Sequence, residues 1–86
     1  MFKNKTDNGR NNICGKKIYE LRKKQTPKMS QRILAEKMQL LGVDVDKNAI
    51  QRIESGQRFV TDIELLCLSE VFGVSCDELL SVSDKS

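Results

Sequence analysis

Hydrophobic residues recur at helical spacing along most of this chain, and no segment alternates convincingly in the manner of a strand. Turn and cap residues divide the pattern into five short helices. Helix 1 runs from about Gly15 to Gln25 and stops at Thr26-Pro27, because proline disfavours a helical conformation in the residue before it. The sequence therefore predicts an all-α fold.

The second and third helices have recognisable ends. Ser30 is a good N-cap for helix 2, and Gly42 ends the apolar pattern of that helix. After a connector at Val43–Val45, Asp46 can cap helix 3. Gly56 can close helix 3, because glycine readily adopts the left-handed conformation at a helix C-terminus.

The last two helices each begin with a capping box, in which the N-cap side chain and the side chain three residues later satisfy each other's backbone N–H groups. The boxes are Thr61 with Glu64 and Ser75 with Glu78. Helix 4 is predicted to run to about Phe72, and helix 5 follows as a short final helix.

The apolar stripes of these helices predict one core. Its expected members are Ile18, Leu21, Leu34, Met38, Ile50, Ile53, Leu65, Leu68, Phe72, Val74 and Leu79. Helix 4 is apolar over more than one stripe, since Ile63, Leu66 and Val71 lie off this line. A surplus of this kind is typical of a subunit interface, although packing against helix 5 and the N-terminal segment would also explain it.

Length and hydropathy limit the class of protein. Eighty-six residues fit one domain, and no apolar run approaches the roughly 18 residues that a membrane span needs. We divide the chain into a flexible polar arm at 1–13, a folded domain at 14–82 and a tail at 83–86. With no apolar leader at its N-terminus, the chain is expected to be cytoplasmic.

The residue types argue against an enzyme. The chain has no histidine, which excludes a histidine base and a histidine-ligated metal. Its three cysteines are far apart and form no C-x-x-C pair, so neither a zinc site nor another cofactor site is expected. Reduced thiols are the expectation for such a chain.

Charge is unevenly distributed along the sequence. Residues 1–32 contain ten Lys and Arg against two acids, whereas residues 61–86 contain one lysine against six acids. Such a domain can present a basic face to a polyanion, although the two segments could instead pair with each other. In the arm, Lys3, Lys5 and Arg10 could follow a phosphate backbone, or the arm could have no role.

One pattern of residues is more specific than any of these features. It consists of Ser30-Gln31-x-x-Leu34-Ala35 followed by Ile50-x-x-Ile53-Glu54-x-Gly56-x-Arg58. This pattern resembles the Cro/repressor-type (XRE) helix-turn-helix family, and the resemblance covers about residues 15–81. It implies a compact five-helix, lambda-repressor-like DNA-binding domain that contains a helix-turn-helix.

The outer side of helix 3, at about residues 46–55, carries the candidate base-reading residues Lys47, Asn48, Gln51 and Arg52. Lysine and arginine can reach guanine O6 and N7, and asparagine or glutamine can pair with adenine. An exposed face with four long polar donors and no acid suits a DNA major groove. An ordinary solvated face is the alternative.

The resemblance assigns roles to four further residues. It implies that Gln31 holds a phosphate and braces helix 3, and that Arg58 holds the DNA backbone on the other side. It also implies that Arg22 of helix 1 pairs with Glu54, which would lock helix 3 against helix 1. Two independent surface charges are the alternative for Arg22 and Glu54.

The chain departs from the family pattern in one spacing. Leu34 and Glu54 are 20 residues apart, about five more than is usual in the family. A turn of three or four residues between helices 2 and 3 therefore does not fit. We predict a longer helix 2 and a longer connector, with a smaller insertion at Thr26–Lys28.

These observations lead to one favoured function. We expect a sequence-specific double-stranded DNA-binding transcriptional regulator, with repression as the favoured mode. One helix reads only a few base pairs, which seldom suffices to select one site in a genome. We therefore expect a homodimer on DNA, with contacts between the copies through helices 4 and 5. The candidate dimer surface comprises Ile63, Leu66, Val71, Leu80 and Val82. Any regulatory signal would arrive through a partner protein, oligomerisation or degradation, and the alternative function is an antitoxin or another protein-interaction module.

Overall fold

A computed structural model describes residues 11–81, which form five α-helices and no strand. The helices are α1 (Gly15–Lys23), α2 (Gln31–Leu40), α3 (Lys47–Ser55), α4 (Asp62–Phe72) and α5 (Cys76–Leu80). The predicted all-α class and number of helices are confirmed for this part of the chain. None of the five helices is long and apolar enough to cross a bilayer. The candidate arm residues Lys3, Lys5 and Arg10 lie outside the described residues.

Polar side chains cap the starts of α2, α3 and α4 where the sequence predicts them. The Ser30 hydroxyl accepts a hydrogen bond from the Ile33 N–H at 3.1 Å at the start of α2. The Asp46 carboxylate accepts from the Ala49 N–H at 2.8 Å at the start of α3. At α4, Thr61 and Glu64 form both halves of the predicted capping box. Each cap satisfies an N–H group that has no partner within its helix.

The predicted capping box of α5 is only half formed. The Ser75 hydroxyl accepts from the Glu78 N–H at 3.0 Å, as expected. The Glu78 carboxylate, however, pairs with the Lys17 ammonium group of α1 at 3.2 Å. A long-range ion pair has therefore replaced the local return bond, and it joins the last helix to the first.

The core lies where the five helices meet. Seven of the eleven predicted members are fully buried, namely Ile18, Leu34, Met38, Ile50, Ile53, Leu68 and Leu79. Leu21, Leu65, Phe72 and Val74 pack against this cluster but are only partly buried. The buried residues that the prediction omitted from the core are Cys14, Met29, Ala35, Val45, Ala49 and Cys67.

The connector between α2 and α3 is six residues long, which confirms the predicted extension. It folds back on the end of α2, where the Val43 N–H donates to the Met38 carbonyl at 3.0 Å. The Gln39 side chain holds the far end of the connector by donating to the Val45 carbonyl at 2.6 Å. With the Val45 side chain buried in the core, the connector fixes where α3 begins.

The outer side of α4 is apolar and exposed, in part as predicted. Ile63 and Leu66 are 69% and 57% exposed, and Leu80 of α5 is also exposed. Val71 was expected on this surface but is half-buried and packs against the core. It follows Leu68 by three residues, which places it nearer the buried face of the helix. Val82 lies outside the described residues.

Candidate nucleic-acid interface

The four predicted base-reading residues lie on one exposed face of α3. Lys47, Asn48, Gln51 and Arg52 are all exposed, and the opposite face buries Ala49, Ile50 and Ile53. The helical period of 3.6 residues produces this division, because positions i, i+1, i+4 and i+5 share one side. The core therefore holds α3 while its polar donors face outward.

The two acidic residues nearest to that face along the chain are engaged within the fold. Asp46 uses a carboxylate oxygen to cap α3. Glu54 points inward, with its side chain 6% exposed. The outward face of α3 therefore presents one ammonium group, one guanidinium group and two amides, without a carboxylate among them.

The inward Glu54 forms the predicted pair with Arg22. The Arg22 Nε donates to Oε2 at 2.7 Å and Nη2 donates to Oε1 at 3.0 Å, so the contact is bidentate. A third guanidinium nitrogen of Arg22 donates to the Met29 carbonyl at 3.1 Å. Because both side chains are more than nine-tenths buried, the pair locks α3 against α1.

Gln31 completes this attachment. Its side-chain amide donates to the same Glu54 Oε1 at 3.0 Å from the first residue of α2. One carboxylate therefore receives bonds from α1 and α2 while belonging to α3. The predicted brace from Gln31 is confirmed, and its phosphate contact stays a prediction. We call Arg22, Gln31 and Glu54 the brace.

Arg58 lies in an unexpected arrangement in the loop after α3. Two of its guanidinium nitrogens donate to the two Glu64 carboxylate oxygens at 2.8 and 2.9 Å. The same carboxylate accepts from the Thr61 N–H at the start of α4. Sequence reasoning assigned Arg58 to a DNA phosphate, whereas the structure uses its charge to join the loop to α4.

The Arg58–Glu64 pair changes the acidity of Glu64. Burial alone would raise the pKa of this carboxyl group, but the hydrogen bonds from Arg58 and Thr61 outweigh it and hold the pKa below its ordinary value of 4.5. The hydrogen bond to Glu64 in turn raises the pKa of Arg58. The charged forms of both groups are thus favoured in the folded protein.

Replacing Glu64 by glutamine is expected to weaken the dependence of the free energy of unfolding on pH in the acidic range. A carboxyl group whose pKa is lower in the folded state stabilises the protein above its unfolded pKa, and this contribution is lost as pH falls through the folded pKa. Urea unfolding between pH 3 and 7 should therefore show the Glu64→Gln deficit shrinking below about pH 4.5. Glu70→Gln, on the exposed side of the same helix, is the matched control. A deficit of constant size across this range would contradict the prediction.

Two asparagines that the sequence placed in the arm instead hold the end of α3. The Asn12 amide nitrogen donates to the Ile53 carbonyl at 3.1 Å and to the Arg58 carbonyl at 2.7 Å. The Asn11 main-chain N–H donates to the Gly56 carbonyl at 2.7 Å, and its side chain donates to the Gln57 carbonyl at 2.9 Å. Asn11 and Asn12, which the prediction assigned to the arm, are thus tied to the folded domain.

Comparison with known proteins identified no relative of this chain. No protein-family model, curated protein or solved structure matches this chain. The resemblance to Cro/repressor-type proteins therefore depends on the residue pattern quoted above.

The chemistry of the exposed α3 face follows from its groups. Its ammonium and guanidinium groups attract anions, and its two amides can donate and accept hydrogen bonds in one plane. Within residues 11–81, no three potential metal-ligating side chains come together. The face is thus equipped to recognise an anionic partner with hydrogen-bonding edges.

Proposed function

We propose that this chain binds double-stranded DNA in a sequence-specific manner, with α3 in the major groove, and regulates transcription as a repressor. The observation that carries the proposal is the outward face of α3, where four long donors stand on a helix held from behind by the brace. A helix that is to read bases must be rigid, because displaced side chains lose hydrogen-bond geometry. The buried brace supplies that rigidity.

Each side chain on this face has a matching base edge. Lys47 and Arg52 would donate to guanine O6 and N7, and Arg52 can do so with two parallel hydrogen bonds. Asn48 and Gln51 would pair with adenine N6 and N7. Together the four residues span little more than one helical turn, which suits a site of a few base pairs.

Contacts to the DNA backbone are assigned to the start of α2. Helix N-termini present free N–H groups and a partial positive charge, both of which favour a phosphate. Gln31 is the first residue of this helix, and the exposed Arg32 follows it. Arg58 already pairs with Glu64, so we assign it a secondary part in backbone binding.

Two copies are proposed to share one operator. A single α3 offers too few base contacts to find one site in a genome, and helix-turn-helix proteins commonly place two copies on half-sites one helical turn apart. The exposed apolar residues Ile63, Leu66 and Leu80 are the proposed contact between copies. The acids Asp62 and Glu70 are exposed on the same helix and would stand at the rim of that contact.

The proposal is tested by DNA binding at several salt concentrations, followed by selection from genomic fragments. We expect binding to random DNA that weakens as salt rises, and one recurring site with an inverted repeat. Sedimentation on the isolated site should give two chains for each duplex. A protein with no affinity for DNA would end the proposal, and high affinity for a partner protein in its place would favour an antitoxin. One chain bound to a site without an inverted repeat would refute the proposed dimer but not the proposed DNA binding.

A further inference from the structure

The Asn12 side chain uses both ends of its amide inside the protein. Its oxygen accepts from the Gly15 N–H at 2.8 Å, and its nitrogen donates to the carbonyls of Ile53 and Arg58. The residue is only 8% exposed. One side chain therefore joins the start of α1, the last turn of α3 and the loop that follows α3.

These bonds reinforce the ends of two helices. The Ile53 carbonyl, in the last turn of α3, already accepts from the Gly56 N–H at 3.1 Å, and Asn12 adds a second hydrogen bond to it. At α1, the N-cap residue Cys14 makes no side-chain cap, so Asn12 supplies an acceptor in its place. Asn11 adds the bonds to the carbonyls of Gly56 and Gln57.

Asn12 also gives α3 a second attachment. The brace holds α3 through the side chain of Glu54, which lies in the last turn of the helix next to Ile53. Asn12 holds the backbone at Ile53 and again at Arg58, beyond the end of the helix. The brace and Asn12 thus hold the C-terminal end of α3, and the buried Val45 and Ile50 hold its beginning and middle. Attachment along the whole helix fixes its tilt as well as its position.

We infer that Asn12 is a positioning residue for DNA recognition, which fixes the tilt of α3 by clamping its C-terminal end and the loop at residues 56–58. This role rests on the proposed function. Asn12 contacts no base in this role. It acts through the direction in which Arg52 and Gln51 leave the helix.

The test compares Asn12→Ala and Asn12→Asp with a control of similar stability loss. Asp keeps an acceptor for the Gly15 N–H but cannot donate to Ile53 and Arg58. The matched control is Ser75→Ala, which removes the cap of α5 and leaves the bonds at the end of α3 in place. Urea unfolding of each variant establishes that it is folded and how much stability it has lost.

The informative readout is the ratio of affinity for the selected site to affinity for random DNA. We expect both Asn12 variants to lower this ratio about tenfold, the effect of losing one base contact, while Ser75→Ala leaves it unchanged. Asn11→Ala loses one exposed hydrogen bond, to the Gln57 carbonyl, and should lower this affinity ratio by less. It replaces the Asn12 variants in the test if they do not fold.

The outcomes separate the inference from the proposed function. If Asn12→Asp folds and keeps the wild-type ratio of affinity for the selected site to affinity for random DNA, Asn12 only caps α1. That result would overturn the positioning role. An unchanged ratio in Asn12→Ala, or in Asn11→Ala if the Asn12 variants do not fold, would also overturn it. A wild-type protein that binds no DNA at all would instead refute the proposed function, and the positioning role with it.

Discussion

Truncation of either Arg22 or Glu54 to alanine is expected to lower the free energy of unfolding by about 3–5 kcal/mol. Both side chains are more than nine-tenths buried, so removing one leaves the other charge out of water without its partner. Gln31 and the Met29 carbonyl cannot compensate, because each neutral group supplies only one hydrogen bond. For a small domain this loss is a large share of the total stability.

A double-mutant cycle by urea unfolding measures the effect. The double variant should recover part of the loss, because no unpaired charge then remains buried. The Arg32–Glu36 pair of α2 is the matched control, since its side chains are exposed and 3.6 Å apart. Truncating Glu36 should change stability by no more than about 0.5 kcal/mol. Strict additivity of the Arg22 and Glu54 variants would show that the two side chains do not interact.

Replacing Arg52 or Asn48 by alanine is expected to weaken binding to the selected DNA site by about 1–3 kcal/mol for each residue. Both side chains are exposed on α3, so truncation removes base contacts without opening the core. Affinity for random DNA should change little, because phosphates supply most of that affinity. Binding isotherms on the selected duplex and on a scrambled duplex give both values.

Lys17→Ala is the matched control for the Arg52 variant. It removes one positive charge as Arg52→Ala does, but Lys17 faces Glu78 of α5. Its loss should leave the discrimination between the two duplexes unchanged. Equal losses on both duplexes for the Arg52 or Asn48 variant would reassign that residue from base reading to phosphate binding.

Helix starts could be predicted from the sequence because their signals are local. Asp46 and Thr61 cap the helices that begin immediately after them, and the hydrogen bonds span only three residues. The Arg22–Glu54 pair is not local, since 32 residues separate its members. It was predicted only because the residue pattern resembles a known family.

Other contacts left no signal in the sequence. Asn12 bonds to backbone carbonyls, which every residue possesses, so its partners could not be identified from residue types. Glu64 was recognised as a cap, but its second partner depends on how the loop folds back. Met29 and Val45 are buried from connectors, where single apolar residues show no period.

The asparagine contacts also bear on the order in which the chain folds. The side-chain bonds of Asn11 and Asn12 to the end of α3 and its loop join residues 41 to 46 positions apart. Closing so long a loop costs entropy before it forms any bond, so this junction is expected to form late in folding. The C-terminal end of α3 is therefore held in part by bonds that form late, while its N-terminal end is held by a cap only three residues away.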